Sequence, residues 1–222
     1  MPEKIDVMES VYAQNDRVAE ATRERLASAG VFAVNVIGAP GCGKTSLISA
    51  LAERLAKQGI GCAVIEGDIE GDIDTERLRA LGVEAVQLNT GGACHLEASA
   101  VAEAIDTLKL GGGALFVENI GNLVCPAEFM IGEHVKLLIT TAADGSDKPY
   151  KYPLAFEKAD CVAINKTDLL PYVDFDAAYF ERGVRRLNKT SPIFTLSCKS
   201  GAGLEALAEW LVGKMDETLG KG

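Results

Sequence analysis

The run Gly38-Ala-Pro-Gly-Cys-Gly-Lys44-Thr45 constrains this chain more than any other feature. It fits the spacing G-x-x-x-x-G-K-[ST], and its flanks matter as much as its letters. Before it, VFAVNVIG over 31–38 is apolar and β-rich without alternation, the pattern of a strand covered on both faces. After it, a helical stretch runs from Lys44 to Gln58 and stops at Gly59. A strand, a glycine-rich turn and a helix in that order let backbone N–H groups wrap phosphate oxygens. Gly38, Gly41 and Gly43 permit the turn and Cys42 fits it by being small. Lys44 adds a cation toward the β and γ phosphates, and the Thr45 hydroxyl, followed by Ser46, can ligate Mg²⁺.

The same alternation continues along the chain. Strands are expected at 62–66, 83–88, 114–118, 135–141, 159–165 and 193–197, with helices near 74–81, 95–108, 175–189 and 203–219. Strands alternating with helices predict a mainly parallel sheet. A leading helix is expected over 4–29, where Ile5, Met8, Val11, Tyr12, Asn15, Val18, Ala19, Thr22 and Leu26 recur at helical spacing before Gly30. The expected fold is α/β, a P-loop NTPase with about seven strands covered by helices on both faces, plus that N-terminal helix. We expect 1–30 to form the helix and 31–222 the nucleotide domain, as one domain overall: 222 residues with 48% hydrophobic content suffice for one sizeable core.

Charge narrows the partners. A net charge of −10 repels nucleic-acid backbones and anionic bilayers, so small molecules and proteins remain. The first sixteen residues carry charges and no apolar signal core, and no run of 18 apolar residues occurs, which predicts a cytoplasmic protein. Six cysteines there are expected as reduced thiols. Cys62 and Cys161 fall within apolar strands and read as core residues, and His134, before a strand, as structural.

In such a sheet ligands bind beyond the carboxyl ends of the strands. The strand ALFVEN ends in Glu118-Asn-Ile-Gly, which makes Glu118 the candidate carboxylate on the Mg²⁺ side. Asp68, after the second strand, is a further candidate for the metal or its waters, with Asp72 in reserve; a solvated acidic turn is the alternative for each. Asn165-Lys166-Thr-Asp168 resembles the guanine-specificity motif of GTPases. A carboxylate there accepts from guanine N1–H and its exocyclic amine, a donor pair adenine lacks. Ser197-Cys198-Lys199 resembles the S-A-K loop of the same enzymes, with a cysteine replacing alanine. GTP and GDP are the expected nucleotides.

Cys94 and His95 lie at a strand–helix junction, and Cys125 follows the strand that carries Glu118. Two loops on one rim thus present two sulfurs and an imidazole, a donor set suited to Ni²⁺ or Zn²⁺, with one coordination position left open. A helix N-terminus beside a thiol would favour its thiolate. No C-x-x-C is present, and these residues alone leave open whether they hold metal or are simply packed.

Taken in order, the phosphate loop, G-A-C-H-L, E-N-I-G-N-L-V-C-P, D-K-P-Y-K-Y-P and N-K-T-D make the chain closely resemble HypB, the hydrogenase nickel-incorporation GTPase, over 31–210. The resemblance implies a SIMIBI-class homodimer when GTP is bound, Ni²⁺ delivery to the precursor of the [NiFe]-hydrogenase large subunit, a HypA-like nickel protein as partner, and a metal site of Cys94, His95 and Cys125. The N-terminal C-x-x-C-G-C or histidine-rich stretch of some HypB proteins is not found here. The urease GTPase UreG, whose motif reads C-P-H, is the nearest alternative. A small-molecule kinase would have no use for N-K-x-D, and a metal-binding module that barely hydrolyses nucleotide is a third reading. Lys44, Thr45, Asp68 and Glu118 are the expected catalytic residues. No glutamine or arginine is identifiable to orient water, so slow intrinsic turnover is expected; Lys148 is the one candidate to act across a dimer.

Overall fold

The computed structural model describes residues 7–67, 79 and 82–220. Seven strands form one parallel sheet in the order β3-β2-β4-β1-β5-β6-β7: β1 Val31–Gly38, β2 Cys62–Glu66, β3 Glu84–Gln87, β4 Gly113–Gly121, β5 Val135–Thr141, β6 Cys161–Asn165 and β7 Ile193–Thr195. Helices α1 Val7–Ser28, α2 Lys44–Lys57, α3 Ala98–Thr107, α4 Cys125–Glu128, α5 Lys148–Lys151, α6 Pro153–Lys158, α7 Ala177–Leu187 and α8 Leu204–Leu219 cover it.

Every residue of β1 is buried, which is why its sequence shows no alternation. Its side chains divide between two layers. Phe32, Val34 and Val36 meet Leu47, Leu51 and Leu55 of α2 and Leu207 and Leu211 of α8. Val31 and Ala33 face the other way, with Leu26 of α1 and Val101 and Ile105 of α3. Farther along that second face, Ile37 and Leu138 pack with Phe156 of α6 and Phe180 of α7. Each such buried Val, Leu, Ile or Phe side chain contributes about 1.5–3 kcal/mol.

Three expectations are corrected. The strand carrying Glu118 runs on to Gly121, because Gly38 pairs with Gly121 beyond a register shift after Val36, so Glu118 to Gly121 end a strand rather than form a loop. The helix expected from residue 95 begins at Ala98, leaving Cys94 and His95 in the preceding turn. Cys62 is only partly buried at the start of β2, whereas Cys161 is fully buried. The short helices α4, α5 and α6 were not anticipated; each carries a proline in its first turn, where the missing N–H costs nothing. Most of the helix expected at 74–81, with Asp68 and Asp72, lies outside the described residues.

Topology arranges the rim. Loops after β3 and β4 lie toward one edge, loops after β6 and β7 toward the other, and the loop after β1 sits between them.

Candidate nucleotide and metal sites

The loop after β1 is shaped by glycine. Gly43 has φ 97°, and a Cβ there would meet the Asn165 side-chain nitrogen at 2.6 Å; at Gly38 it would meet Cys42 Sγ and the Ile139 carbonyl, each at 2.6 Å. Burial pushes the Cys42 thiol up to about 11, so it stays protonated and fills space. Lys44 is buried, with Nζ 3.9 Å from Glu118 Oε1, and the Thr45 hydroxyl donates to the same oxygen at 3.0 Å. A hydroxyl and a carboxylate so close, beside a glycine-built anion cradle, fit a hard divalent cation bound together with phosphate. Glu66, in register with Glu118 across β2 and β4, brings a second buried carboxylate to this point.

The base side is clamped onto the phosphate loop. Asn165 donates to the Cys42 carbonyl at 3.0 Å and accepts from the Cys198 N–H at 3.1 Å, and Lys166 Nζ donates to the Gly41 carbonyl at 2.6 Å. Lys166 holds φ 58°, the left-handed region otherwise used here by glycine among the described residues. Asp168 Oδ1 accepts from the Ser197 hydroxyl at 2.6 Å, and that bond lowers its pKa, keeping the carboxylate an acceptor. An open cleft of about 690 Å³ lies here, lined by Gly43, Ser46, Asn165, Lys166, Asp168 and Lys199 among others.

The ligand atoms of Cys94, His95 and Cys125 all lie within 4.8 Å of one another, and Cys94 Sγ is 3.5 Å from His95 Nδ1. Metal–ligand distances of about 2.0–2.3 Å put tetrahedral ligand pairs about 3.3–3.8 Å apart, so the cluster is within about 1 Å of closing on an ion. Burial lowers the pKa of His95, which keeps the ring neutral and able to coordinate. The helix start expected beside Cys94 lies farther on, at Ala98, and at Cys125 the thiol pKa is raised above its ordinary value. A hydrogen bond with Cys94, followed by burial, raises that thiol, so the neighbouring sulfur outweighs the one-turn helix α4.

Side chains that sequence reasoning passed over hold the two loops together. Asn122 donates to the Cys94 carbonyl at 3.2 Å and accepts from the Val124 N–H at 3.0 Å. Asn119, next to Glu118, accepts from the Leu96 N–H at 3.2 Å and donates to Asn35 at 3.1 Å. Asn35 in turn donates to Glu133 at 3.2 Å, Glu133 lies 3.5 Å from Lys136 Nζ, and Lys136 donates to the carbonyls of Ala127 and Phe129 at 3.2 Å each. A buried polar chain thus runs from the turn after His95 to the helix that starts at Cys125. Its signal in the sequence is a polar residue inside an apolar run, Asn35 in VFAVNVIG and Lys136 in VKLLITT. His134 is structural, accepting from the Ala33 N–H at 2.9 Å.

The family model described as the nucleotide-binding domain of CobW/HypB/UreG matches residues 32–195. The hydrogenase maturation factor HypB of Azotobacter chroococcum is 44% identical over 93% of this chain and 67% of its own length. The chain belongs to the HypB family. The structure of HypB from Helicobacter pylori in complex with nickel superposes with a TM-score of 0.87 at 35% identity, covering 93% of this chain and 97% of the other. HypB from Archaeoglobus fulgidus gives 0.85 at 33% identity, covering 91% and 99%. No helix among the described residues is long and apolar enough to cross a membrane. Within a HypB-family chain, the distances above give the phosphate loop, the base cleft and the Cys–His–Cys cluster definite neighbours.

Proposed function

We propose that this chain is a GTP-hydrolysing nickel carrier that serves hydrogenase maturation. The observation that carries the reading is the cluster of Cys94, His95 and Cys125 on the rim that also bears the phosphate loop. The names of its relatives, hydrogenase maturation factors, supply the process.

On the nucleotide side, Lys44 faces the phosphates and Asp168 accepts from the guanine edge. A backbone N–H of the Ser197-Cys198-Lys199 loop meets guanine O6, a contact the cysteine in place of alanine leaves intact. Thr45 and Glu118 would hold Mg²⁺, with Asp68 and Asp72 proposed to complete its shell. Magnesium, when bound, neutralises charge developing on the phosphate oxygens. The protein's own part is positioning: Gly43 permits the close approach, Lys44 is fixed by burial and Glu118 holds Thr45 in place. Turnover without a partner is slow, since the only cation proposed to reach across a GTP-bound homodimer is Lys148.

On the metal side, Ni²⁺ is the cargo and Zn²⁺ a competitor for the same sulfurs. Glu118 and Asn119 are consecutive in β4, one facing the phosphate loop and the other bonded to the turn after His95. A shift of this strand end with nucleotide state therefore reaches the metal loops. A HypA-like nickel protein as donor and the hydrogenase large-subunit precursor as acceptor, both in the cytoplasm, complete the proposal. Titration of metal-free protein with Ni²⁺, followed by thiolate-to-nickel absorbance, tests it. Cys94→Ala and Cys125→Ala should each weaken binding by more than about 100-fold, exceeding what loss of a residue behind a ligand costs. Nickel affinity indifferent to both sulfurs would remove the metal role and leave the nucleotide role standing.

A further inference from the structure

We infer that Asn15, on the leading helix α1, is a positioning residue for the metal cluster, and that α1 is thereby part of that site rather than only a cover on the sheet. Its consequence for nickel rests on the function proposed above; the geometry does not.

One amide touches both metal-bearing segments. Asn15 Nδ2 donates to the Met130 carbonyl at 2.8 Å, five residues beyond Cys125, and Oδ1 accepts from the Ala98 N–H at 3.0 Å, three residues beyond His95. Ala98 is wholly buried and is the first residue of α3, whose N-cap Glu97 makes no side-chain bond to the helix. The first-turn N–H of that helix is thus satisfied from outside, by α1; left without a partner it would be a buried donor, which is costly.

A second contact one turn away reinforces the first. Tyr12, three residues before Asn15 and so on the same face of the helix, stacks on Phe129 at 5.0 Å, and Phe129 stacks on the His95 ring at 4.0 Å. The Tyr12 hydroxyl also donates to Glu128 at 3.0 Å. The imidazole is therefore held flat by a ring that α1 itself holds. Among the described residues His95 Nε2 is buried without a hydrogen-bond partner, and the stacked Phe129 ring sets the plane of the imidazole. Asn122 ties the same loops from nearer the sulfurs, so losing Asn15 loosens the cluster without dispersing it.

Asn15→Ala in the full chain tests this with two readings. In metal-free protein, dibromobimane becomes fluorescent only after bridging two nearby thiols, here Cys94 and Cys125. The bridging rate should fall several-fold, nickel affinity should fall about tenfold, and GDP affinity should not change. Asn15→Asp keeps an acceptor for Ala98 but loses the donor to Met130, and should fall between. Wild-type bridging and wild-type nickel affinity in Asn15→Ala would overturn the inference. Slowed bridging in a chain whose wild type binds no nickel through its thiols would uphold the clamp while overturning the metal function. If Asn15→Ala also loses GDP binding, Asn15→Asp decides by the same two readings, slowed bridging upholding the clamp and wild-type values overturning it.

Discussion

The phosphate loop and the metal cluster share one rim of one sheet, but they are held together by different means. The phosphate loop takes its shape locally: eight residues, Gly38 to Thr45, are turned by their own glycines and lead directly into α2, and the long-range bonds from Asn165 and Lys166 meet carbonyls of that turn. The metal cluster is assembled from two loops by asparagines acting over distance. Asn122 reaches Cys94 across 28 positions, Asn119 reaches Leu96 across 23, and Asn15 reaches Ala98 across 83 and Met130 across 115. A turn shaped by its own glycines depends less on the long-range bonds that reach it. A cluster assembled by long-range ties follows the elements that carry them.

This contrast predicts that the two sites fail separately. Lys44→Ala should lower GTP hydrolysis by about 10³-fold, the scale of removing one preorganised group that faces developing charge. Nickel affinity measured without nucleotide should stay at the wild-type value. Parallel loss of both would mean that the rim is a single site. Asp168→Asn should weaken GTP binding by about 100-fold, two charge-assisted hydrogen bonds being at stake, and should shift preference toward xanthosine triphosphate, which offers an acceptor where guanine has its amine. Competition binding of the two nucleotides reads this directly, and unchanged guanine preference would remove Asp168 from the base site.

The last of these effects is graded, about tenfold with each pH unit. The Cys125 pKa lies above its ordinary value of 9.0, so at neutral pH this thiol carries a proton that an incoming metal must displace. The His95 pKa lies below 6.5, so its ring carries none at that pH. Nickel affinity should therefore rise about tenfold per pH unit for each thiol proton displaced, from pH 6.5 up to the Cys125 pKa, with proton release visible in weakly buffered solution. A flat profile across the neutral range would mean that Cys125 is not a ligand.

The same contrast explains what could be read in advance. The phosphate loop, N-K-T-D and the apolar strands are patterns within a few residues, and the strand and helix periods that place them survive folding almost unchanged. Asn35 and Lys136 carried a signal, a polar residue inside an apolar run, yet their partners sit in other elements and no spacing names them. The late start of α3 at Ala98 has the same origin: the Leu96 N–H goes to Asn119, and the first helical N–H is capped from α1. The raised thiol of Cys125 reflects a neighbour 31 positions away in the chain. The extension of β4 to Gly121 depends on its pairing with Gly38, which neither segment shows alone.

The central claim is that nucleotide state and metal affinity are linked through the end of β4, where Glu118 and Asn119 face opposite sites. The most direct test is titration of metal-free protein with Ni²⁺ in the presence of GDP and, separately, of a non-hydrolysable GTP analogue, with oligomeric mass followed alongside. The account predicts a nickel affinity that differs between the two nucleotides and requires Cys94 and Cys125 in both. Equal affinity in the two states would contradict it, because a ligand that does not distinguish two states cannot be moved by switching between them.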